Sequence, residues 1–152
     1  FIMKVLMLFL TVLFMNYSFA SSVIDEARMN YNKAVQDKDL CRKMIDELEK
    51  SKKKDAIYLA YLGGFQTIWA NHIFNPINKL QSFKEGKKNI EQAINKEPND
   101  VELRFIRFSV QKNAPSFLGY RNNIVEDRNF IIKNRDDVSS EVVQKNIEML
   151  LK

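Results

Sequence analysis

Arg104, Arg107 and Gln111 recur at intervals of three and four, so a helix through Arg104-Phe105-Ile106-Arg107-Phe108 sets them on one stripe beside Phe105 and Phe108. A guanidinium fork near aromatic rings suits two-toothed capture of a carboxylate or phosphate. The same arginines can instead pair with Glu91, Glu97 or Glu102, and Tyr120-Arg121 and Glu126-Asp127-Arg128 could complete such a network. Charged groups on a helix this apolar need partners, because unpaired burial is costly. Arg104, Arg107, Gln111, Tyr120 and Arg121 are therefore candidates either for binding or for an internal ion-pair network. A second set, Tyr58, Tyr61, Phe65 and Trp69, spans successive turns of another helix. Its default role is core packing. The alternative makes Tyr61, Phe65 and Trp69 the lining of a groove for a peptide or helix.

Catalytic chemistry has little to build on. His72 is the only histidine, and Pro76 occupies the position four residues on where a metal site would want a carboxylate. There is no Gly-rich phosphate loop, CxxC, nucleophile elbow or paired-carboxylate pattern. The expectation is a protein that is not an enzyme and holds no cofactor or metal. A single cysteine, Cys41, cannot form an internal disulfide, and Leu40-Cys41-Arg42-Lys43-Met44-Ile45 puts it on an apolar helix face.

Residues 1–20 read as a cleaved signal peptide. Lys4 supplies the positive start, Val5 to Met15 the apolar run, and Ser18-x-Ala20 the small-residue cut. Met3 is the expected initiator. The run is shorter than the ~20 residues that cross a bilayer, so no transmembrane segment is expected in the mature chain. Residues 21–152 then form one domain, periplasmic or secreted. Only Lys4 leaves with the leader, so 23 basic residues face 19 acidic ones. Lys50 to Lys54 is the one basic run, read as a loop between helices rather than a nucleic-acid site.

Apolar spacing predicts helices and no strands. The first runs from Ile24 to about Gln36, and the second starts at Leu40 with Asp39 as its cap. A third, apolar almost all round, follows Asp55 and stops at Asn75-Pro76. The fourth runs to Asn95 with a bend near Gly86, and the fifth follows Asp100 or Asn99. The sixth spans Pro115 to about Lys133, and the last starts at Ser139 or Ser140. Gly63-Gly64 inside the third helix costs roughly 1 kcal/mol per glycine against alanine, which points to a helix approaching closely.

Gly86-x3-Ile90-x2-Ala93-x4-Pro98 resembles the second helix of a tetratricopeptide (TPR) repeat, and Leu59-x2-Leu62-Gly63 its first helix. Leu59 stands where tryptophan is common and Gln66 where tyrosine is expected. The separation from Gly63 to Gly86 exceeds the family spacing by about three helical turns, which leaves the inward face unchanged. The resemblance covers residues 56–100. It implies an all-α fold of antiparallel helical hairpins stacked as a short TPR-like solenoid. The implied function is non-enzymatic: an exported adaptor for a protein or peptide partner. A carrier of a small hydrophobic ligand, in a cavity between the third and fifth helices, is the alternative.

Overall fold

The structure, a computed structural model, describes residues 21–152, and the leader reading lies outside the described residues. Seven α-helices and no strand occur among them: α1 Val23–Asn30, α2 Lys38–Lys50, α3 Ala56–His72, α4 Pro76–Lys96, α5 Val101–Asn113, α6 Ile124–Asn134 and α7 Glu141–Leu151. The all-α expectation holds.

Local chemistry sets most boundaries. Asp37 Oδ1 accepts from Leu40 N at 2.9 Å, Asn75 Oδ1 from Ile77 N at 2.9 Å, and Asp100 Oδ1 from Glu102 N at 2.8 Å. These side chains satisfy amides that the first helical turn leaves open. Pro76 opens α4, where its missing N–H costs nothing. Ser140 caps α7.

Three expected boundaries need correction. The first helix stops at Asn30, not Gln36, and a 3-10 turn at Lys33–Val35 follows. The break lets Tyr31 turn inward, where its ring occupies the space a side chain at Gly64 would fill. The cap of α2 is Asp37, not Asp39. The expected helix from Pro115 to Lys133 is a 3-10 turn at Ser116–Leu118, then Gly119 at φ 63°, then α6. That left-handed φ suits glycine and ends the turn. α4, by contrast, runs unbroken through Gly86.

α3 is the central element. It lies against α2, α4 and α5, and this surrounding accounts for its nearly uniform apolarity. α3 and α4 make the closest contact. A Cβ on Gly63 would lie 2.5 Å from the Gly86 carbonyl oxygen, and one on Gly86 would lie 2.5 Å from that of Gly63. The two backbones touch, and any larger side chain would push the helices apart. Buried Gln66 reaches across the same pair, its Oε1 accepting from Asn89 Nδ2 at 2.7 Å. α5 runs on from α4, and α6 lies on α5. α7 turns back against α1 and α5, and Asn146 fixes it by accepting from Asn32 Nδ2 at 2.9 Å.

Candidate functional site

The arginine stripe of α5 faces inward and docks α6. Asp127, on the inner face of α6, is 0% exposed. Its carboxylate accepts from Arg107 Nε at 2.6 Å, Arg107 Nη2 at 2.8 Å and Arg104 Nη1 at 2.8 Å. One buried carboxylate thus serves two guanidinium groups. Arg107 Nη1 also donates to Glu91 of α4 at 3.1 Å, and the Tyr120 hydroxyl donates to the other oxygen of Glu91. Arg104 donates further to Glu126 and to the Pro98 carbonyl, and its guanidinium lies 5.2 Å from the Phe130 ring. Gln111 Oε1 accepts from Asn123 N at 3.1 Å, which holds the start of α6 in place of a side-chain cap.

The charges of this cluster support one another. The Arg104 guanidinium holds the Glu126 carboxyl below its ordinary range. Burial, then the bond to Glu91, push the Tyr120 hydroxyl far above the usual phenol value. Burial alone would weaken the Arg107 charge, but Asp127 and Glu91 raise its pKa well beyond the ordinary guanidinium range.

A second cluster was not legible in the sequence. Glu102 of α5 accepts from Arg28 Nε at 2.8 Å and Nη2 at 2.9 Å, and from the Tyr61 hydroxyl at 2.7 Å. It ties α1 and α3 to α5. Burial, reinforced by Glu102, raises the Tyr61 pKa well above its ordinary value. Glu102 stood among the expected partners of the α5 arginines, but it serves Arg28 instead. Glu97 makes no side-chain bond to them.

The aromatic residues of α3 divide. Tyr61 and Phe65 are buried, and Tyr31 meets them edge-on at 5.6 and 5.5 Å and Phe105 at 6.1 Å. Such pairs add roughly 0.5–1.5 kcal/mol beyond burial. Trp69 is half-exposed, with Lys38 and Arg42 at 5.6 and 5.7 Å from its ring. Arg121 is exposed. Among the eight candidates, Arg107, Gln111, Tyr120, Tyr61 and Phe65 are therefore buried against the chain's own groups, Arg104 nearly so, and Trp69 and Arg121 reach the surface.

The remaining reactive groups are occupied. Cys41 is buried and donates to the Phe65 carbonyl, and burial pushes its thiol up to about 12. His72 Nε2–H donates to the Ala34 carbonyl at 2.8 Å. Among the described residues no group of three His, Cys, Asp or Glu is placed to hold a metal, and no helix is long and apolar enough to cross a membrane. Every buried side-chain polar atom among them has a hydrogen-bond partner. Comparison with protein-family models, curated proteins and solved structures finds no match for this chain.

Proposed function

We propose that the chain is an exported, non-enzymatic adaptor of TPR-like helical hairpins that binds a protein or peptide partner. The observation that carries this reading is the outer face of α6. Val125, Arg128 and Ile132 follow one another at intervals of three and four on the side opposite buried Asp127 and Ile131. Val125 is 71% and Ile132 43% exposed, and Arg121 and Arg128 flank them. A face that alternates aliphatic and guanidinium groups complements an acidic amphipathic segment. The polar interior is already saturated, so a ligand there would have to displace existing bonds. The carrier reading is weaker, because the Tyr31 ring fills the space between α3 and α5 that a ligand would need.

The test is capture from an envelope extract with residues 21–152 and with Val125→Asp/Ile132→Asp. The expected result is a stoichiometric protein bound by the first and lost by the second, with equal melting temperatures. Capture unchanged by the double substitution would move the contact elsewhere. A co-purified lipid or metabolite with no protein would favour the carrier.

A further inference from the structure

The α3–α4 hairpin outreaches its neighbours. α4 has 21 residues and α5 has 13, about 31 and 20 Å at roughly 1.5 Å per residue. On the other side, the 3-10 turn at Lys33–Val35 reaches the end of α3, where Ala34 O accepts from His72, so the overhang consists of the 73–75 turn and the first turns of α4. Every residue from Phe74 to Gln81 is exposed. This apex carries three large apolar side chains: Phe74 is fully exposed, Ile77 77% and Leu80 40%.

The apex itself carries no carboxylate, and the charges of α4 behind it are mostly positive. No Asp or Glu occurs between Asp55 and Glu85. Lys79 stands in the apex, and Lys84, Lys87 and Lys88 follow it along α4, opposed only by Glu85. Lys87 lies over the Tyr120 ring at 4.8 Å. On the α2 side Asp37 and Asp39 balance Lys38, so the positive excess belongs to α4. Trp69 stands just behind the apex.

We propose that this apex inserts into the interface of an anionic phospholipid bilayer. Phe74, Ile77 and Leu80 enter the boundary of the acyl region, while Lys79 and Lys84 meet headgroup phosphates. An apolar apex without carboxylates enters that boundary without stripping water from a charge. The lysine stems lie along apolar surface while their ammonium groups stay in the headgroup layer. A protein groove could accept Phe74 and Ile77 as well, but the lysine ladder adds an attraction that an anionic surface rewards over its whole length. The apex shares no residue with the α6 face, so the inference does not depend on the adaptor reading.

The experiment uses residues 21–152, which contain every described helix, with vesicles of phosphatidylcholine plus phosphatidylglycerol and of phosphatidylcholine alone. Co-sedimentation is read together with the emission of Trp69, the only tryptophan. The expected result is binding to the anionic vesicles, weakened by salt, with blue-shifted emission. Phe74→Asp/Ile77→Asp should weaken it at least about tenfold, since each buried apolar side chain contributes more than that factor. Lys79→Glu/Lys84→Glu should weaken it at least about thirtyfold, since each lysine near the surface contributes about 1 kcal/mol. All four sites are exposed, so melting temperatures should match. Phe74→Trp should bind and be quenched by brominated lipid. Absence of binding to anionic vesicles at low salt overturns the inference, as does binding that neither double variant weakens. Loss of a captured protein from the apex variants, with no vesicle binding, would assign the apex to a protein partner instead.

Discussion

Both polar clusters are anchored on α5, and they solve the same problem in opposite ways. In one, α5 supplies the acid: Glu102 receives the fork of Arg28 and the hydroxyl of Tyr61. In the other, α5 supplies the bases: Arg104 and Arg107 converge on Asp127 of α6, and Glu91 and Tyr120 complete the ring. The first is one guanidinium for one carboxylate, and the Arg28 side chain keeps 24% of its surface, with Asp25 as a further partner at 3.1 Å. The second is a shared buried carboxylate with no water to fall back on. A pair at the margin can lose a member and rehydrate. Loss of a shared interior acceptor takes the buried bonds from two guanidinium groups at once and leaves them only Glu91, Glu126 and the Pro98 carbonyl.

Asp127→Asn therefore breaks the comparison most forcefully. It should cost about 3–5 kcal/mol and loosen α6, read by thermal melting and by hydrogen exchange of the α6 amides. Glu102→Gln should cost less, about 2–3 kcal/mol, because Arg28 can turn to solvent and Asp25. Equal losses would mean that burial does not distinguish the two clusters.

Alkaline pH probes the tyrosines that close each cluster. Burial pushes Tyr31 up to about 12, and burial together with the neighbouring carboxylates also holds Tyr61 and Tyr120 well above the ordinary phenol value. A folded pKa above the unfolded value near 10 contributes stability that is full below pH 10 and is lost as pH rises through the folded pKa. For fully buried Tyr31 the contribution is about 2–3 kcal/mol. Tyrosinate absorbance of these three rings should rise together with loss of helix. A tyrosine that ionises near pH 10 while the helices persist, identified by its phenylalanine variant, would contradict the burial described here.

Smaller changes sharpen the contrast. Tyr61→Phe and Tyr120→Phe each remove one bond to a carboxylate and should cost about 1–2 kcal/mol in melting experiments. Coupling between Tyr120→Phe and Asp127→Asn in a double-mutant cycle should exceed that between Tyr61→Phe and Asp127→Asn, since only the first pair shares Arg107. Glu126→Gln should cost under about 0.5 kcal/mol, because Glu126 is largely exposed.

Much of this fold was readable because its punctuation is local. Asp100, Ser140 and the Asn75-Pro76 step each act within one turn, so the helices they launch stand where expected. The failures are where a distant residue decides. α1 ends early because Tyr31 must meet Gly64, and nothing between residues 24 and 36 announces that. The split after Pro115 was signalled only by Gly119, whose positive φ a helical pattern hides. The stripe of Arg104, Arg107 and Gln111 was legible from its spacing, and Glu91 and Asp127 stood among its possible partners. Arg28, Glu102 and Tyr61 were not seen as a unit, since 74 and 41 positions separate the partners and each fits its own helix alone.

The contact between Gly63 and Gly86 also sets an order in time. The two residues are close in sequence and joined by one short turn, whereas Arg28 to Glu102 and Asn32 to Asn146 close loops of 74 and 114 positions. Short loops close at lower entropic cost, so we expect the α3–α4 hairpin to form before the clusters do. Stopped-flow kinetics followed by Trp69 emission would then separate two kinds of damage. Gly86→Ala should slow folding, while Asp127→Asn should chiefly speed unfolding. The reverse assignment would place the nucleus in the arginine clusters. On the expected order, the hairpin is a template whose backbone-to-backbone fit decides how fast the chain finds its fold, and the ion pairs decide how long it stays there.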